Sequence, residues 1–84
     1  MAQNDCILLK VLTPEKTLLE KEVSKVSLPG TKCPFTVLVN HAPLISSLER
    51  GDIAYMSGGV AGVVGIASGF VEVKDNVVTV CAEV

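Results

Sequence analysis

Cys33 and His41 are the residues of this chain best suited to covalent chemistry. A thiol and an imidazole make a nucleophile–base pair when a third group orients the ring and donors stabilise the developing oxyanion. Neither stands out around them, and a lone histidine beside a proline turn reads first as a structural or surface-contact residue. Lys74 is a second candidate, because small β domains carry lipoyl or biotinyl groups on a turn lysine. Those lysines stand between particular neighbours, typically Asp or Met, whereas this one stands in Val73-Lys74-Asp75. Gly58-Gly59 and Gly62/Gly65 form no phosphate loop, since no Gly-Lys-Ser/Thr ending and no strong helix follow. Cys6, Cys33 and Cys81 are widely spaced, without a Cys-x-x-Cys pair, and His41 is the sole histidine. A closed zinc site needs four ligands with local pairs, so no metal is expected, and neither is a catalytic residue or a cofactor. Cys6 and Cys81 sit in strand-like runs and are expected to be small buried hydrophobes. Cys33 falls in a loop and is expected to be exposed.

Bulk composition narrows the class further. The 84 residues suit one domain, 1–84, with a modest core. Seven basic and nine acidic residues give a net charge of −2, and the aromatics are Phe35, Tyr55 and Phe70. A nucleic-acid module would want basic clusters and stacking rings, so no nucleic-acid partner is expected. No apolar run reaches the ~18 residues of a membrane span, so direct membrane insertion is not expected. Met1-Ala2-Gln3-Asn4-Asp5 has no basic n-region and opens no signal-peptide h-region, which suggests a cytoplasmic or organelle-interior protein. Hydrophobic content is 49% and mean hydropathy +0.52, high for so small a domain. Either the strands are covered on both faces, or a second surface is buried against partners.

Strand signals dominate the elements that must position these residues. Apolar or β-branched runs at 6–12, 23–28, 35–39, 44–48, 52–56, 60–67, 70–73 and 77–82 are separated by turn residues. Thr17 to Glu22 has helical composition but is too short for a stable helix, and reads as a turn and a short strand with a solvated charged edge. The clearest unit is 71–82: Val71/Val73 and Val78/Val80/Ala82 alternate with polar residues, and Asp75-Asn76 tolerates the positive φ of a hairpin turn. Glycines within 60–67 suggest a bulge or a close backbone approach. In Leu28-Pro29-Gly30, proline fixes φ and glycine is expected at positive φ in a tight turn, while Pro43 extends Ala42. The spacing predicts an all-β antiparallel sandwich of about ten short strands.

The order Thr13-Pro14-Glu15-Lys16, Leu28-Pro29-Gly30, Asn40-His41-Ala42-Pro43-Leu44, Ser68-Gly69-Phe70-Val71-Glu72-Val73 and Asn76-Val77-Val78-Thr79-Val80 resembles the epsilon chain of F-type (rotary) ATP synthase. More narrowly, it resembles that chain's N-terminal β-sandwich domain, over nearly the whole sequence. The resemblance implies a non-catalytic central-stalk, or rotor, subunit of a proton-translocating complex. Such a subunit packs on the gamma subunit, touches the polar loops of the c-ring, and transmits ring rotation to ATP synthesis. Carried over, Gly30, Thr31, Lys32, Cys33, Pro34, Asn40, His41, Ala42 and Pro43 become the ring-facing candidates. A stiff, pre-organised loop loses little entropy on docking.

The sequence departs from the family at four positions. Cys33 and Thr36 stand where glycines are common, Pro34 where an acidic residue is common, and Val39 where proline is common. The loop is correspondingly stiffer and less charged. The apolar, glycine-rich stretch from Gly58 to Gly69 is expected to present an exposed patch to gamma, with Gly58, Gly59, Gly62, Gly65, Ser68 and Gly69 allowing close approach. The family's C-terminal helical hairpin, which can block hydrolysis and in some members binds ATP, has no counterpart before Val84, so no ATP site is expected in this chain. The implied location is peripheral, on the cytoplasmic face of the bacterial inner membrane or its organelle equivalent. The alternative is a stand-alone carrier or binding domain with a modified Lys74.

Overall fold

The computed structural model describes residues 6–84. The expectations that fall on Met1 to Asp5, the missing leader and the start of the domain, lie outside the described residues. Nine strands rather than about ten are present among them: β1 Ile7–Leu12, β2 Thr17–Val23, β3 Lys25–Leu28, β4 Phe35–Leu38, β5 Leu44–Leu48, β6 Gly51–Ser57, β7 Val60–Ile66, β8 Ser68–Lys74 and β9 Val77–Glu83. They form a five-stranded sheet in the order β2-β1-β9-β8-β5 and a four-stranded sheet in the order β4-β3-β6-β7. Every pairing is antiparallel except β1 with β9, which run parallel, so the larger sheet is mixed. No helix long and apolar enough to cross a membrane occurs among the described residues.

Two hairpins follow from their turn residues. Gly58 and Gly59 have φ of 56° and 81°, and Asp75 and Asn76 have φ of 53° and 62°. Positive φ at both central residues matches the right-handed twist of the flanking strands, so each two-residue turn closes tightly. The register then runs without a break from Ser57↔Val60 to Gly51↔Ile66, and from Lys74↔Val77 to Ser68↔Glu83. The glycines of β7 therefore mark no bulge. The irregularity lies instead in the β1–β2 pair, where Val11 faces Leu19 and Leu12 faces Thr17, leaving Leu18 of β2 as the extra residue.

The core is built from the inward face of each pleat. Ile7, Leu9, Val11, Val71, Val73, Val78 and Val80 of the larger sheet meet Val26, Leu28, Val37 and Ile53 of the smaller, all 2% exposed or less. Full burial of each such side chain contributes about 1.5–3 kcal/mol before chain entropy is charged against it. No polar or charged residue is buried among those described. The inward position of Val78, Val80 and Ala82 turns Cys81 outward, so Cys81 is exposed rather than a buried hydrophobe, and Cys6 is only half-buried.

Two of the four changes of sheet among the described residues are made by single residues. The run 23–28 is not one strand: Val23 ends β2 in the larger sheet and Lys25 opens β3 in the smaller. Ser24 makes the step, donating its N–H to the Met56 carbonyl (2.7 Å). The Ser57 hydroxyl donates to the Glu22 carbonyl (2.8 Å) and closes the same seam. The 17–22 segment is a full strand, not a turn with a short one. Lys21 stays solvent-exposed on it, its amine 5.9 Å from the Tyr55 ring centroid. Ala67 makes the second step, between β7 and β8, and donates its N–H to the Glu83 carbonyl (2.7 Å).

Candidate functional site

Two loops carry the ring-facing candidates, one on each side of β4. The first leaves β3 at Pro29 and returns at Phe35. Gly30 is buried in an isolated bridge to Leu48, and the tight turn expected of Leu28-Pro29-Gly30 is closed by its N–H to the Leu28 carbonyl (3.0 Å), though its φ is not positive. Glycine is required there by space. A Cβ would stand 2.6 Å from the Cys33 carbonyl oxygen and 2.9 Å from the Phe35 ring. Glu49 N–H to the Pro29 carbonyl (2.9 Å), Thr31 N–H to the Ser47 carbonyl (3.2 Å) and the Thr31–Ser47 hydroxyl pair (2.7 Å) pin the loop along the end of β5. Thr31, Lys32, Cys33 and Pro34 project into solvent from that base.

The second loop leaves β4 at Val39 and enters β5 after Pro43. Asn40 takes φ of 66°, and the His41 N–H bonds the Leu38 carbonyl (3.1 Å). His41 Nδ1 donates to the Ala42 carbonyl (2.7 Å). Asn40 is clasped to the β8–β9 hairpin. Its N–H donates to Asn76 Oδ1 (2.6 Å), and Asn76 Nδ2 donates to Asn40 Oδ1 (3.0 Å). Asn76 was absent from the sequence-based candidates. An asparagine beside an αL turn is a cue for a side-chain–backbone bond, but nothing local reveals a partner 36 positions away.

The two loops converge. An open groove of about 510 Å³ along the β4–β5 side is lined by Thr31, Lys32, Cys33, Phe35, His41 and Leu44 to Ser47. Cys33 and His41 share it, yet no hydrogen bond joins them and no acidic residue lines it. No group of three or more His, Cys, Asp or Glu is placed to hold a metal among the described residues. The arrangement supplies shape and hydrogen-bonding edges.

The second set of candidates is divided by the fold. Gly58, Gly59, Gly62 and Gly65 lie on the β6–β7 hairpin of the smaller sheet, whereas Ser68 and Gly69 open β8 in the larger. Gly62 lies under the Tyr55 ring, and Gly69 against the Cys81 carbonyl and Ala82 of β9. Both are close approaches inside the domain. Val60 and Val63 of β7 are 68% and 60% exposed, so the hairpin does present apolar side chains to solvent.

The Asn40–Asn76 clasp gives a direct test of how the second loop is held. Asn76→Gly keeps the hairpin's positive φ and removes both bonds; Asn40→Gly removes only the side-chain one. We expect Asn76→Gly to cost about 1–2 kcal/mol and Asn40→Gly about half of that, read from urea midpoints with unchanged slopes. Equal costs would mean that the Asn40 N–H bond contributes nothing.

Comparison with known proteins agrees with this architecture. Residues 6–84 match the family model described as "ATP synthase, Delta/Epsilon chain, beta-sandwich domain". The ATP synthase epsilon chain of Desulfitobacterium hafniense is 45% identical over 75 residues, which cover 89% of this chain and 57% of that one. That of Nitratidesulfovibrio vulgaris strain Miyazaki F is 40% identical over 75 residues, covering 89% and 56%. The chain thus spans a little over half the length of the curated relatives it matches. Among solved structures, the Euglena gracilis mitochondrial ATP synthase (OSCP/F1/c-ring) contains a chain aligned at TM-score 0.89 and 21% identity, over 98% of this chain and 53% of that one. The central stalk and c-ring of the Tetrahymena thermophila mitochondrial ATP synthase contains another, at TM-score 0.78 and 16% identity, over 93% and 63%. At such identities these structures speak for the fold alone. With the family model matched from Cys6 to the last residue, the chain belongs to the ATP synthase delta/epsilon chain family and carries its β-sandwich domain.

Proposed function

We propose that this chain is a non-catalytic central-stalk subunit of a proton-translocating F-type ATP synthase, coupling c-ring rotation to ATP synthesis through contacts with gamma and the ring. The observation that carries the reading is its 45% identity, across nine-tenths of its length, to an ATP synthase epsilon chain. The loops 30–34 and 40–43 are the ring-facing elements and the β6–β7 hairpin is the gamma-facing one. The chain itself is held peripherally at the membrane through that complex, on the cytoplasmic face in a bacterium. One feature of the chain supports a mechanical role: the candidate loops are held by bonds to β5 and to the β8–β9 hairpin, so they keep their shape when loaded.

The test is association. The chain should co-purify with the gamma subunit encoded in the same genome, and a bifunctional maleimide on exposed Cys33 should capture a cysteine placed in the c-subunit polar loop. Cys81, on the outer face of the five-stranded sheet, should not react in that way. Absence of any gamma complex would overturn the reading. Intact mass of the protein from its native host separates it from a carrier domain, which would show an adduct on Lys74.

A further inference from the structure

We propose that the free edge of β7 is a strand-addition site, at which an extended segment of the gamma subunit extends the four-stranded sheet by one strand. The proposal rests on the rotor-stalk reading and specifies how that partner is held. A sheet edge displays unpaired N–H and C=O groups, and natural proteins blunt such edges with charge, proline, brevity or a covering loop. Three of the four edges here are blunted. β2 carries Glu20, Lys21 and Glu22. β4 has only four residues and follows Pro34. β5 follows Pro43 and is covered at its far end by Gly30 and Thr31. β7 has none of these devices. It is seven residues long, contains no proline, and lies within a stretch without a charged residue between Asp52 and Glu72.

The turn determines which backbone groups are free. In a two-residue hairpin with positive φ at both turn residues, the flanking pair Ser57↔Val60 is hydrogen-bonded, and bonded pairs then alternate along the ladder. Val60, Gly62, Val64 and Ile66 therefore direct their backbone groups to β6. Ala61, Val63 and Gly65 direct theirs outward. β6 obeys the same alternation, because the Met56 carbonyl, opposite Ala61, points away from β7 and accepts from Ser24. Among the described residues no other backbone hydrogen bond reaches residues 60–66. Three N–H and three C=O groups along one edge, on a strand whose Val60 and Val63 side chains are exposed, are satisfied by one extended backbone and by no compact ligand. At about 3.3 Å per residue, a partner segment of five to seven residues spans them. Since the receiving strand is uncharged, that segment is uncharged and β-branched rather than acidic or basic.

The test is amide hydrogen exchange of the full chain, free and in complex with its gamma subunit. In the free chain Gly62 and Val64 exchange slowly, while Ala61, Val63 and Gly65 exchange fast. In the complex the last three should slow by at least a hundredfold. Val63→Pro removes one outward N–H without touching the β6 ladder and should weaken gamma binding at least tenfold with thermal stability retained. Val64→Pro breaks the ladder and should unfold the hairpin. A gamma complex that leaves Ala61, Val63 and Gly65 unprotected overturns strand addition and leaves the rotor-stalk reading standing. Failure to form any gamma complex overturns that reading, and this proposal with it. Protection of the three amides in the free chain, with dimers in solution, would make a second copy the occupant and also overturn it.

Discussion

Gly69→Val is expected to destabilise the domain by about 3 kcal/mol or more, lowering the thermal midpoint by roughly 12–24 °C for a domain of this size. A Cβ on Gly69 would collide with the Cys81 carbonyl oxygen and stand 3.0 Å from the Ala82 Cα, both backbone atoms of β9. β9 is held on one side by β8 and on the other by β1, so it cannot retreat without losing bonds to one of them. Gly62→Ala makes the contrast. Its Cβ would meet only the far end of the Tyr55 ring, which can swing outward, so its cost should be about 1 kcal/mol. Gly65 has more room, with the Asp52 carboxylate 3.5 Å away and nothing nearer, so Gly65→Ala should leave the midpoint unchanged. The three glycines look alike in sequence and should separate by circular-dichroism melting in the order 69, 62, 65. Equal midpoints would refute the packing account. For the proposed gamma interface the consequence is practical: loss of binding in a Gly69 variant would report unfolding, whereas loss in Gly65→Ala would report docking.

What could be read from sequence was local. Asp75-Asn76 between two alternating valine runs specified a hairpin because both residues accept positive φ, and the structure holds that hairpin in the expected register. Gly58-Gly59 acted in the same way. The same alternation implied that Cys81, standing between inward Val80 and Ala82, must face outward, so its exposure was legible although its thiol suggested burial. Other features were not legible because their causes are distant. β1 pairs in parallel with β9, joining residues about 70 positions apart, and no turn residue encodes such a pairing. The step at Ser24 depends on the Met56 carbonyl. The need for glycine at position 30 comes from Cys33 and Phe35 folding back over it, whereas Pro-Gly alone suggested a positive φ. For the candidate site, proline punctuation marks both loops, and the family resemblance is what makes them ring-facing candidates. Their convergence on one groove, and the clasp to Asn76, arise from the sandwich bringing β4, β5 and the β8–β9 hairpin to one side.

Leu9→Ala should be the most damaging conservative truncation, at about 3–4 kcal/mol, and it tests whether the parallel β1–β9 pair is the structural centre of the domain. An 84-residue domain has about 4–13 kcal/mol of stability in total, so this change alone should consume a large share of it. Leu9 is fully buried, and its strand neighbours are Lys21 on β2 and Val78 on β9. Lys21 stays out in solvent, so it cannot collapse into the space that a lost isobutyl group would leave. Val78 is already fully buried and fixed by two ladders, and the cavity should therefore remain largely unfilled. Leu38→Ala is the matched control. Leu38 is 55% exposed at the end of the short edge strand β4, and its truncation should cost less than about 0.5 kcal/mol. The measurement is a pair of urea titrations with common slopes. Similar costs at the two leucines would show that β1 is not the element on which the larger sheet depends. If they separate as expected, a Leu9→Ala chain held folded at low temperature should still bind gamma, because Leu9 is fully buried and offers no surface to a partner. Binding that vanished while the fold persisted would place the partner surface on the five-stranded sheet instead of the edge of β7.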